Sequence, residues 1–274
     1  MGITPQYISA KENPAVKQYR KLAKNKKTRM QEQLFVLEGY RLVSDALKNG
    51  AFLTQLFLTE SAALRYGDEL LAMAQESCKV LHIPDELGDY MAETEHTQGV
   101  FAVCRMPVQK SWDEILQEKG KYAVLHQLQD PGNAGMILRT ADALGVNAVI
   151  FCGSCDVYSP KVVRATMGSL FRVPIAVITE AEEVFHALKA RGIESWAAVV
   201  QGQAELAGEC RFGIGSCAVW IGNEGNGLPD AVASRCEHRI TIPMHGTIES
   251  LNAAMAAGIL MWEMTKKAEG QSEG

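Results

Sequence analysis

The sequence lacks the segments that mark several common classes of protein. Among its 274 residues there is no run of 18 apolar ones, so no transmembrane helix is predicted. The amino terminus has no apolar signal core, and Gln6 stands where an N-myristoylation motif requires Ser or Thr. A G-x-G-x-x-G fingerprint and a P-loop are also missing, which disfavours a nucleotide-binding oxidoreductase. We therefore expect a cytoplasmic protein with no membrane partner.

Cysteine is too sparse to define a zinc site. The seven cysteines are spread along the chain, and the CxxC spacing of Cys152 and Cys155 has no second CxxC or HxxxH to complete four ligands. We therefore predict that no metal is bound and that Cys152 packs in the core at the end of a strand.

Positive charge is in deficit overall but concentrated near the amino terminus. The formal net charge is −5, yet residues 11–29 carry eight Lys and Arg residues against one acid, Glu12. Such a patch is typical of contacts to phosphates. A solvated helix face is the common alternative, and the patch alone does not decide between them.

Helix and strand patterns alternate through residues 1–106, which predicts a small α/β layer domain. Its predicted helices span residues 14–28, 40–48, 60–76 and 84–94, and its strands span 34–37, 52–59, 79–83 and 99–105. A linker is predicted at residues 107–119, with a short helix over 111–118.

Residues 120–274 alternate strictly and predict an α/β domain with a mostly parallel sheet covered on both faces by helices. The predicted strands are 122–127, 148–152, 173–178, 194–200, 217–222 and 239–242. The predicted helices are 134–144, 160–170, 180–191, 229–235 and 250–266. The tail after Lys266 is predicted to be disordered.

Three segments of this second domain place glycines or small polar residues where a predicted buried strand ends. They are Asn133-Ala-Gly-Met-Ile-Leu-Arg139, Gly222-Asn-Glu-Gly-Asn-Gly227 and the segment from Ile242 to Asn252. In an open α/β sheet, the edge at the carboxyl ends of the strands is where ligands bind. The three segments are therefore predicted to contribute to one site.

Each segment also has an ordinary structural interpretation. Asn133 lies near a helix start, where its side chain could cap free N–H groups, and Ser250 is a plausible N-cap of the last helix. Arg139 could be a helix-surface residue paired with Asp142 at i+3. A loop with three glycines is common, and the alanine-rich last helix could simply be core.

Taken in their order, the three segments resemble the signature motifs of the SpoU/TrmH family, within the SPOUT superfamily. The resemblance covers roughly residues 120–266 and implies an AdoMet-dependent RNA ribose 2′-O-methyltransferase with a trefoil-knotted α/β domain that works as a homodimer. The stretch from Phe35 to Val43, followed by Thr97-Gln-Gly-Val-Phe-Ala, is similar to the family's N-terminal substrate-binding domain, which resembles small ribosomal proteins that bind RNA.

The resemblance also assigns roles to residues. It implies that Arg139 is the essential arginine that prepares the 2′-hydroxyl, and that Asn133, Glu224, Ser250 and Asn252 complete the catalytic centre. Backbone groups of Gly222, Ile242 and Leu251 would bind S-adenosylmethionine (AdoMet). Beside such a domain, the basic patch favours RNA, with contacts from Lys24, Lys26, Lys27 and Arg29 and further contacts from Lys161 and Arg164.

Ribosomal RNA of the 23S type is the favoured substrate, because smaller transfer RNA enzymes of the family often carry short helical extensions instead. Two alternatives stay open: a transfer RNA 2′-O-methyltransferase, and an RNA-binding protein that has lost catalysis.

Overall fold

The computed structural model describes residues 5–200 and 203–266. Its first part contains β1 (Gln6–Tyr7), α1 (Pro14–Lys24), α2 (Lys26–Glu32), β2 (Leu34–Glu38), α3 (Tyr40–Lys48), β3 (Leu53–Thr59), α4 (Glu60–Met73), β4 (Lys79–Ile83), α5 (Asp85–Met91) and β5 (Val100–Arg105). The remainder contains α6 (Trp112–Ile115), β6 (Lys121–His126), α7 (Pro131–Ala143), β7 (Ala148–Cys152), α8 (Pro160–Ala165), β8 (Ile175–Ile178), α9 (Ala181–Lys189), β9 (Glu194–Ala198), β10 (Glu205–Leu206), β11 (Cys217–Ile221), α10 (Asp230–Ala233), β12 (His238–Thr241) and α11 (Ala253–Thr265).

The chain divides into two compact units that differ from the predicted boundaries. Residues 158–171, predicted as part of the second domain, belong with residues up to 108 in the first unit. Residues 109–119, predicted as a linker, belong to the second unit, where Ile115 and Leu116 are buried in its core. The predicted disordered tail lies outside the described residues, except for Lys266.

The first unit contains a five-stranded mixed sheet in the order β1-β4-β3-β5-β2. β1, β4 and β3 pair in parallel, whereas β5 is antiparallel to both β3 and β2. One face of this sheet packs against α1 and α5 through a buried cluster that includes Tyr19, Phe57 and Phe101. The rings of Phe57 and Phe101 each meet the ring of Tyr19 edge to face.

Four helices of the first unit end earlier than their sequence patterns predicted: α4 ends at Met73 and α5 at Met91, and α1 and α8 differ most. The basic helix predicted over residues 14–28 ends at Lys24, because Asn25 leaves the helical conformation and its side chain accepts a hydrogen bond from the Thr28 N–H at 3.1 Å, capping α2. The helix predicted over 160–170 ends at Ala165, and Met167 and Gly168 have positive φ angles before a short 3₁₀ turn at Ser169–Phe171.

The second unit contains a seven-stranded sheet in the order β10-β12-β9-β11-β6-β7-β8, in which every pair is parallel. The predicted parallel α/β fold is confirmed. Tyr122, Val124 and Trp220 project from one face into a core that includes α9, and Cys152 is buried in the same core. Helices α7 and α11 contact each other, and α11 also contacts β6 and β11.

Short strands escaped prediction because a two-residue strand carries almost no periodic signal. β10 pairs with β12 at the edge of the second sheet, and β1 pairs with β4 at the edge of the first. No helix within residues 5–200 and 203–266 is long and apolar enough to cross a membrane.

Candidate functional site

The strand order of the second sheet reverses at β6. From β6 the chain adds β7 and β8 on one side, whereas β11, β9 and β12 lie on the other. In parallel α/β sheets the loops diverge at such a point and leave a crevice beyond the carboxyl ends of the strands. The segments that follow β6, β11 and β12 are those that carry the three motifs.

A cavity of about 410 Å³ lies at this edge, within the size range of small-molecule sites. Three residues predicted to bind the cofactor, Gly222, Ile242 and Leu251, all line it. Val199 and Val200, which follow β9, line it as well. The sequence pattern did not indicate these valines, because it placed both of them inside the strand predicted over residues 194–200.

Gly222 brings two stretches of backbone together. A Cβ at this position would lie 2.1 Å from the Gly227 carbonyl carbon and 2.2 Å from the Leu228 nitrogen. The backbones of Asn223 and Gly227 exchange two hydrogen bonds of 2.9 Å, which close the loop. The Asn223 side chain accepts hydrogen bonds from the Gly225 and Asn226 N–H groups and donates one to the Gln127 carbonyl at 3.0 Å. The loop is therefore tied to the segment after β6.

Glu224 joins the second motif to the first. Its carboxylate accepts hydrogen bonds from the Gln129 N–H at 3.0 Å, the Asp130 N–H at 2.9 Å and the Asn133 side-chain amide at 3.1 Å. Burial works to raise the pKa of the Glu224 carboxyl, but these hydrogen bonds outweigh it, and the pKa lies below its ordinary value of 4.5. Glu224 is thus an ionised anchor that positions the start of α7.

Asn133 and Asn252 join the first motif to the third. The Asn252 side-chain amide donates a hydrogen bond to the Asn133 side-chain carbonyl at 3.0 Å. The Asn252 side-chain carbonyl caps α11 by accepting from the Ala254 and Met255 N–H groups. A continuous chain of hydrogen bonds therefore runs from Glu224 through Asn133 to Asn252.

Both predicted helix caps were placed on the wrong residue. Ser250, predicted as the N-cap of the last helix, is exposed and lines the cavity, and Asn252 caps the helix instead. Asp130 caps α7 by accepting from the Asn133 N–H at 2.8 Å, so the Asn133 side chain is free to bind Glu224. Both errors arise because Ser, Asp and Asn are comparable capping residues, and only the tertiary partner decides between neighbours.

Arg139 lies on the exposed side of α7, two turns from the helix start. The alternative that it pairs with Asp142 is wrong, since Asp142 forms its ion pair with Arg172 at 2.8 Å. Within the described part of the chain the Arg139 side chain has no hydrogen-bond or ion-pair partner. An unpaired guanidinium is available to bind an anionic ligand.

The predicted RNA contacts lie in the first unit, and Arg29 requires correction. Lys24, Lys26 and Lys27 are exposed, whereas Arg29 is buried with 4% of its surface exposed. The Arg29 guanidinium donates to the carbonyl groups of Leu22 and Ala23, at the end of α1. It stabilises the helix end and is not available to a phosphate.

The second pair of predicted RNA contacts lies on α8. Lys161 is exposed, and Arg164 is partly buried and forms an ion pair of 3.6 Å with the buried Glu38. Lys161 is therefore accessible to a ligand, whereas the charge of the Arg164 guanidinium is partly offset by the Glu38 carboxylate.

We expect that Glu224→Gln lowers the free energy of unfolding by about 1 kcal/mol near pH 7, because hydrogen bonds to an ionised and partly exposed acceptor are lost. A carboxyl with a depressed pKa contributes stability above its unfolded pKa and loses it as the pH falls through the folded pKa. The difference from the wild type should therefore be full near pH 7 and shrink as the pH falls below the unfolded pKa of about 4.3 in urea titrations. Glu118→Gln, on an exposed acid with no described partner, is the control. A pH-independent difference for Glu224→Gln would contradict the anchoring role.

The fold and site define an α/β protein with a small-molecule cavity at the carboxyl ends of β9, β11 and β12 of a parallel sheet, and comparison with known proteins identifies its family. The SpoU rRNA Methylase family model matches residues 120–262, and the model of the MRM3-like substrate binding domain matches residues 13–102. The chain belongs to the SpoU rRNA methylase family, which confirms the resemblance predicted from the three motifs.

Named relatives cover nearly the whole chain. It is 32% identical over 261 residues to the 23S rRNA (guanosine(2553)-2′-O)-methyltransferase RlmP of Bacillus subtilis, covering 94% of this chain and 98% of the relative. It is 32% identical over 257 residues to the 23S rRNA (uridine(2479)-2′-O)-methyltransferase of Streptomyces viridochromogenes, covering 89% of this chain and 86% of the relative. The crystal structure of an AdoMet-bound rRNA methyltransferase from Sinorhizobium meliloti superposes with a TM-score of 0.86 at 30% identity, covering 94% of this chain and 97% of the other.

Proposed function

We propose that this protein transfers a methyl group from AdoMet to a ribose 2′-hydroxyl of 23S-type ribosomal RNA. The observation that carries the proposal is the chain of hydrogen bonds that joins Glu224, Asn133 and Asn252 beside the cavity of about 410 Å³. These residues come from three motifs that are distant in sequence. A catalytically silent RNA-binding protein is disfavoured, because such a protein has no need to retain every residue of this arrangement together with a free Arg139.

The cavity suits AdoMet in size and charge. Gly222, Ile242 and Leu251 line the cavity, so their backbone groups are within reach of a ligand there. The missing Cβ at Gly222 lets the Gly227-Leu228 backbone pack against it and so shapes this wall. Asp230 and Glu249 also line the cavity, and their carboxylates suit a cationic ligand. AdoMet carries an ammonium and a sulfonium group, and its sulfonium supplies a methyl group already activated for transfer.

The side chains of the protein then have to orient the ribose and assist the loss of the 2′-hydroxyl proton. In the reaction the hydroxyl oxygen forms a bond to the methyl carbon, the sulfur–carbon bond breaks, and the hydroxyl proton is released. A guanidinium is a poor base, because its pKa exceeds about 12. We assign Arg139 to binding the phosphate beside the target ribose and lowering the pKa of the hydroxyl, with direct deprotonation as the alternative. We assign Ser250, which lines the cavity, to contact with the same ribose, and Asn133, Asn252 and Glu224 to positioning roles.

Ribosomal RNA is favoured over transfer RNA because two relatives that match nearly the full chain are named for 23S rRNA positions. The test is incubation of the purified protein with labelled AdoMet and separated ribosomal and transfer RNA, without added metal. Labelling of 23S-type RNA supports the proposal, and labelling of transfer RNA alone would assign the other substrate. We also infer that the protein works in the cytoplasm, where a ribosomal RNA substrate of this type would be found.

Lys24, Lys26 and Lys27 are proposed to contact this RNA, together with Lys161 and Arg164. The support is that the four lysines are exposed and Arg164 is partly exposed, together with the phosphate-binding chemistry of Lys and Arg.

We further propose a homodimer and a trefoil knot in the second unit. α11 is apolar on all sides, and Met255, Ile259 and Trp262 remain 57%, 37% and 59% exposed. A helix that is apolar on all sides is normally covered. A second copy of this chain is the proposed cover. The knot is supported by the family resemblance, together with one cavity that adjoins both the 222–228 loop and the 240–251 segment.

Trp262→Glu is expected to convert the dimer to a monomer, because a carboxylate would be buried at the apolar face of α11. Sedimentation velocity at micromolar concentration measures this change. Leu64→Glu, at a position that is 93% exposed in the first unit, is the control and should leave the dimer intact. A wild-type protein that sediments as a monomer would contradict the proposal.

A further inference from the structure

Helix α1 is fixed in the first unit by one of its faces. The side chains of Ala15, Val16, Tyr19, Leu22 and Ala23 are buried in the core cluster of that unit. The Asn13 side chain caps the helix by accepting from the Ala15 N–H at 2.9 Å. Because this packing fixes the rotation of the helix, the direction of the opposite face is also fixed.

The opposite face carries four cations, which we call the α1 stripe: Lys17, Arg20, Lys21 and Lys24. With about 100° per residue, they fall within an arc of about 100°, and they extend along about 10 Å of the helix axis. One nucleic-acid strand presents roughly three phosphates over that length. The three lysines are exposed, and Arg20 is partly exposed.

The structure of the unit itself does not require these charges. None of the four side chains has an ion-pair or hydrogen-bond partner among the described residues. Cations near the end of a helix can offset the helix dipole, but the Arg29 guanidinium already binds the carbonyls of Leu22 and Ala23 there. Four like charges at i, i+3, i+4 and i+7 repel one another, and the chain as a whole is acidic.

An aromatic ring holds one member of the stripe in place. The Arg20 guanidinium carbon lies 3.8 Å from the centre of the Tyr90 ring on α5, and the Lys11 ammonium lies 4.6 Å from the same centre. Stacking on an aromatic ring orients the planar guanidinium without neutralising it. Two cations on one ring, with no acid paired to either, form a local centre of positive charge.

We propose that the α1 stripe, with Arg20 oriented by Tyr90, binds the phosphate backbone of the RNA substrate. This inference rests on the proposed function and adds Lys17, Arg20 and Lys21 to its RNA-binding residues. A membrane surface fits the stripe poorly, because a surface-seeking helix inserts apolar side chains, and those of α1 are buried in the core. A polyanionic strand needs only the row of cations.

The test is the variant with Lys17, Arg20, Lys21 and Lys24 all replaced by Gln. Its matched control replaces four exposed lysines elsewhere, Lys79, Lys110, Lys119 and Lys189, by Gln, so that both variants lose four charges. Affinity for a protein-free 23S ribosomal RNA transcript is measured across a range of salt concentrations, and AdoMet affinity is measured in parallel. For the stripe variant we expect RNA affinity to fall about tenfold or more and the salt slope to flatten by about three units. The control variant should keep nearly the wild-type RNA affinity and salt slope, and AdoMet affinity should not change in either variant.

A second pair of variants tests the role of Tyr90. Tyr90→Leu should weaken RNA binding about two- to fivefold by releasing Arg20, whereas Tyr90→Phe keeps the ring and should stay close to the wild type. The inference would be overturned if the stripe variant and its four-lysine control lost the same amount of RNA affinity. It would also be overturned if the salt dependence of RNA binding were unchanged in the stripe variant. Its failure is distinguishable from failure of the proposed function, because wild-type methyl transfer to the transcript tests that function independently of the stripe.

Discussion

Replacing Arg139 by alanine is expected to lower methyl transfer by about 10²-fold or more while leaving AdoMet affinity and folding unchanged. Removal of one electrostatic or acid–base group typically has an effect of this size. The side chain is exposed and has no partner in the described residues, so its loss breaks no contact that stabilises the fold. The measurement is the initial rate of methyl transfer at saturating AdoMet, with calorimetry for cofactor binding.

Two further variants test whether the effect depends on the planar guanidinium and whether it is specific to position 139. Arg139→Lys keeps the charge but loses the planar, two-pronged donor, so it should restore only part of the activity. Arg211→Ala removes a surface arginine of the same unit that pairs with Glu194, and it should behave as the wild type. Near-normal turnover by Arg139→Ala would remove this residue from the catalytic centre.

Gly222→Ala is expected to weaken AdoMet binding about 10²-fold or more. The added methyl group would overlap the backbone of Gly227 and Leu228, which cannot move away as a flexible side chain could. The loop from 222 to 227 must then shift, and with it one wall of the cavity. Overpacking of this kind also costs about 1–3 kcal/mol of stability, so thermal unfolding should be followed beside calorimetry.

Gly225→Ala is the matched control in the same loop. A Cβ there would meet only the Asn223 side-chain oxygen at 3.4 Å, and Gly225 does not have a positive φ angle. AdoMet affinity should therefore stay close to that of the wild type. If the Gly222→Ala variant bound AdoMet as tightly as the wild type, AdoMet binding would not depend on the close approach of the Gly222 and Gly227-Leu228 backbones.

Most of the second unit could be predicted because its signals are local and repeated. Near-continuous apolar strands separated by helices indicate a parallel sheet, and all seven strands pair in parallel. The three motifs indicated one site because the carboxyl ends of parallel strands meet at one edge. Gly222, Ile242 and Leu251 of the second and third motifs accordingly line one cavity, and hydrogen bonds from Asn133 to Glu224 and Asn252 join the first motif to them.

The sequence alone could not predict which of several chemically similar groups each polar side chain would bind. Glu224 could have bound any nearby donor, and only the folded chain brings it to the Gln129 and Asp130 N–H groups. Arg29 belongs to a run of cations, yet its guanidinium is buried against carbonyls, because Asn25 ends α1 and turns the chain back. Charge patterns identify a basic segment, whereas tertiary packing decides which of its members faces solvent.

The measurement that tests the central claim most directly is mass spectrometry of nucleosides from 23S-type ribosomal RNA after incubation with the purified protein and AdoMet. The RNA should come from cells that lack the protein, so that its target position is unmethylated. We predict one new nucleoside methylated at the ribose 2′-oxygen, formed by the wild type and reduced by about 10²-fold with Arg139→Ala. Methylation on a base, or an equal yield from the Arg139→Ala variant, would contradict the account.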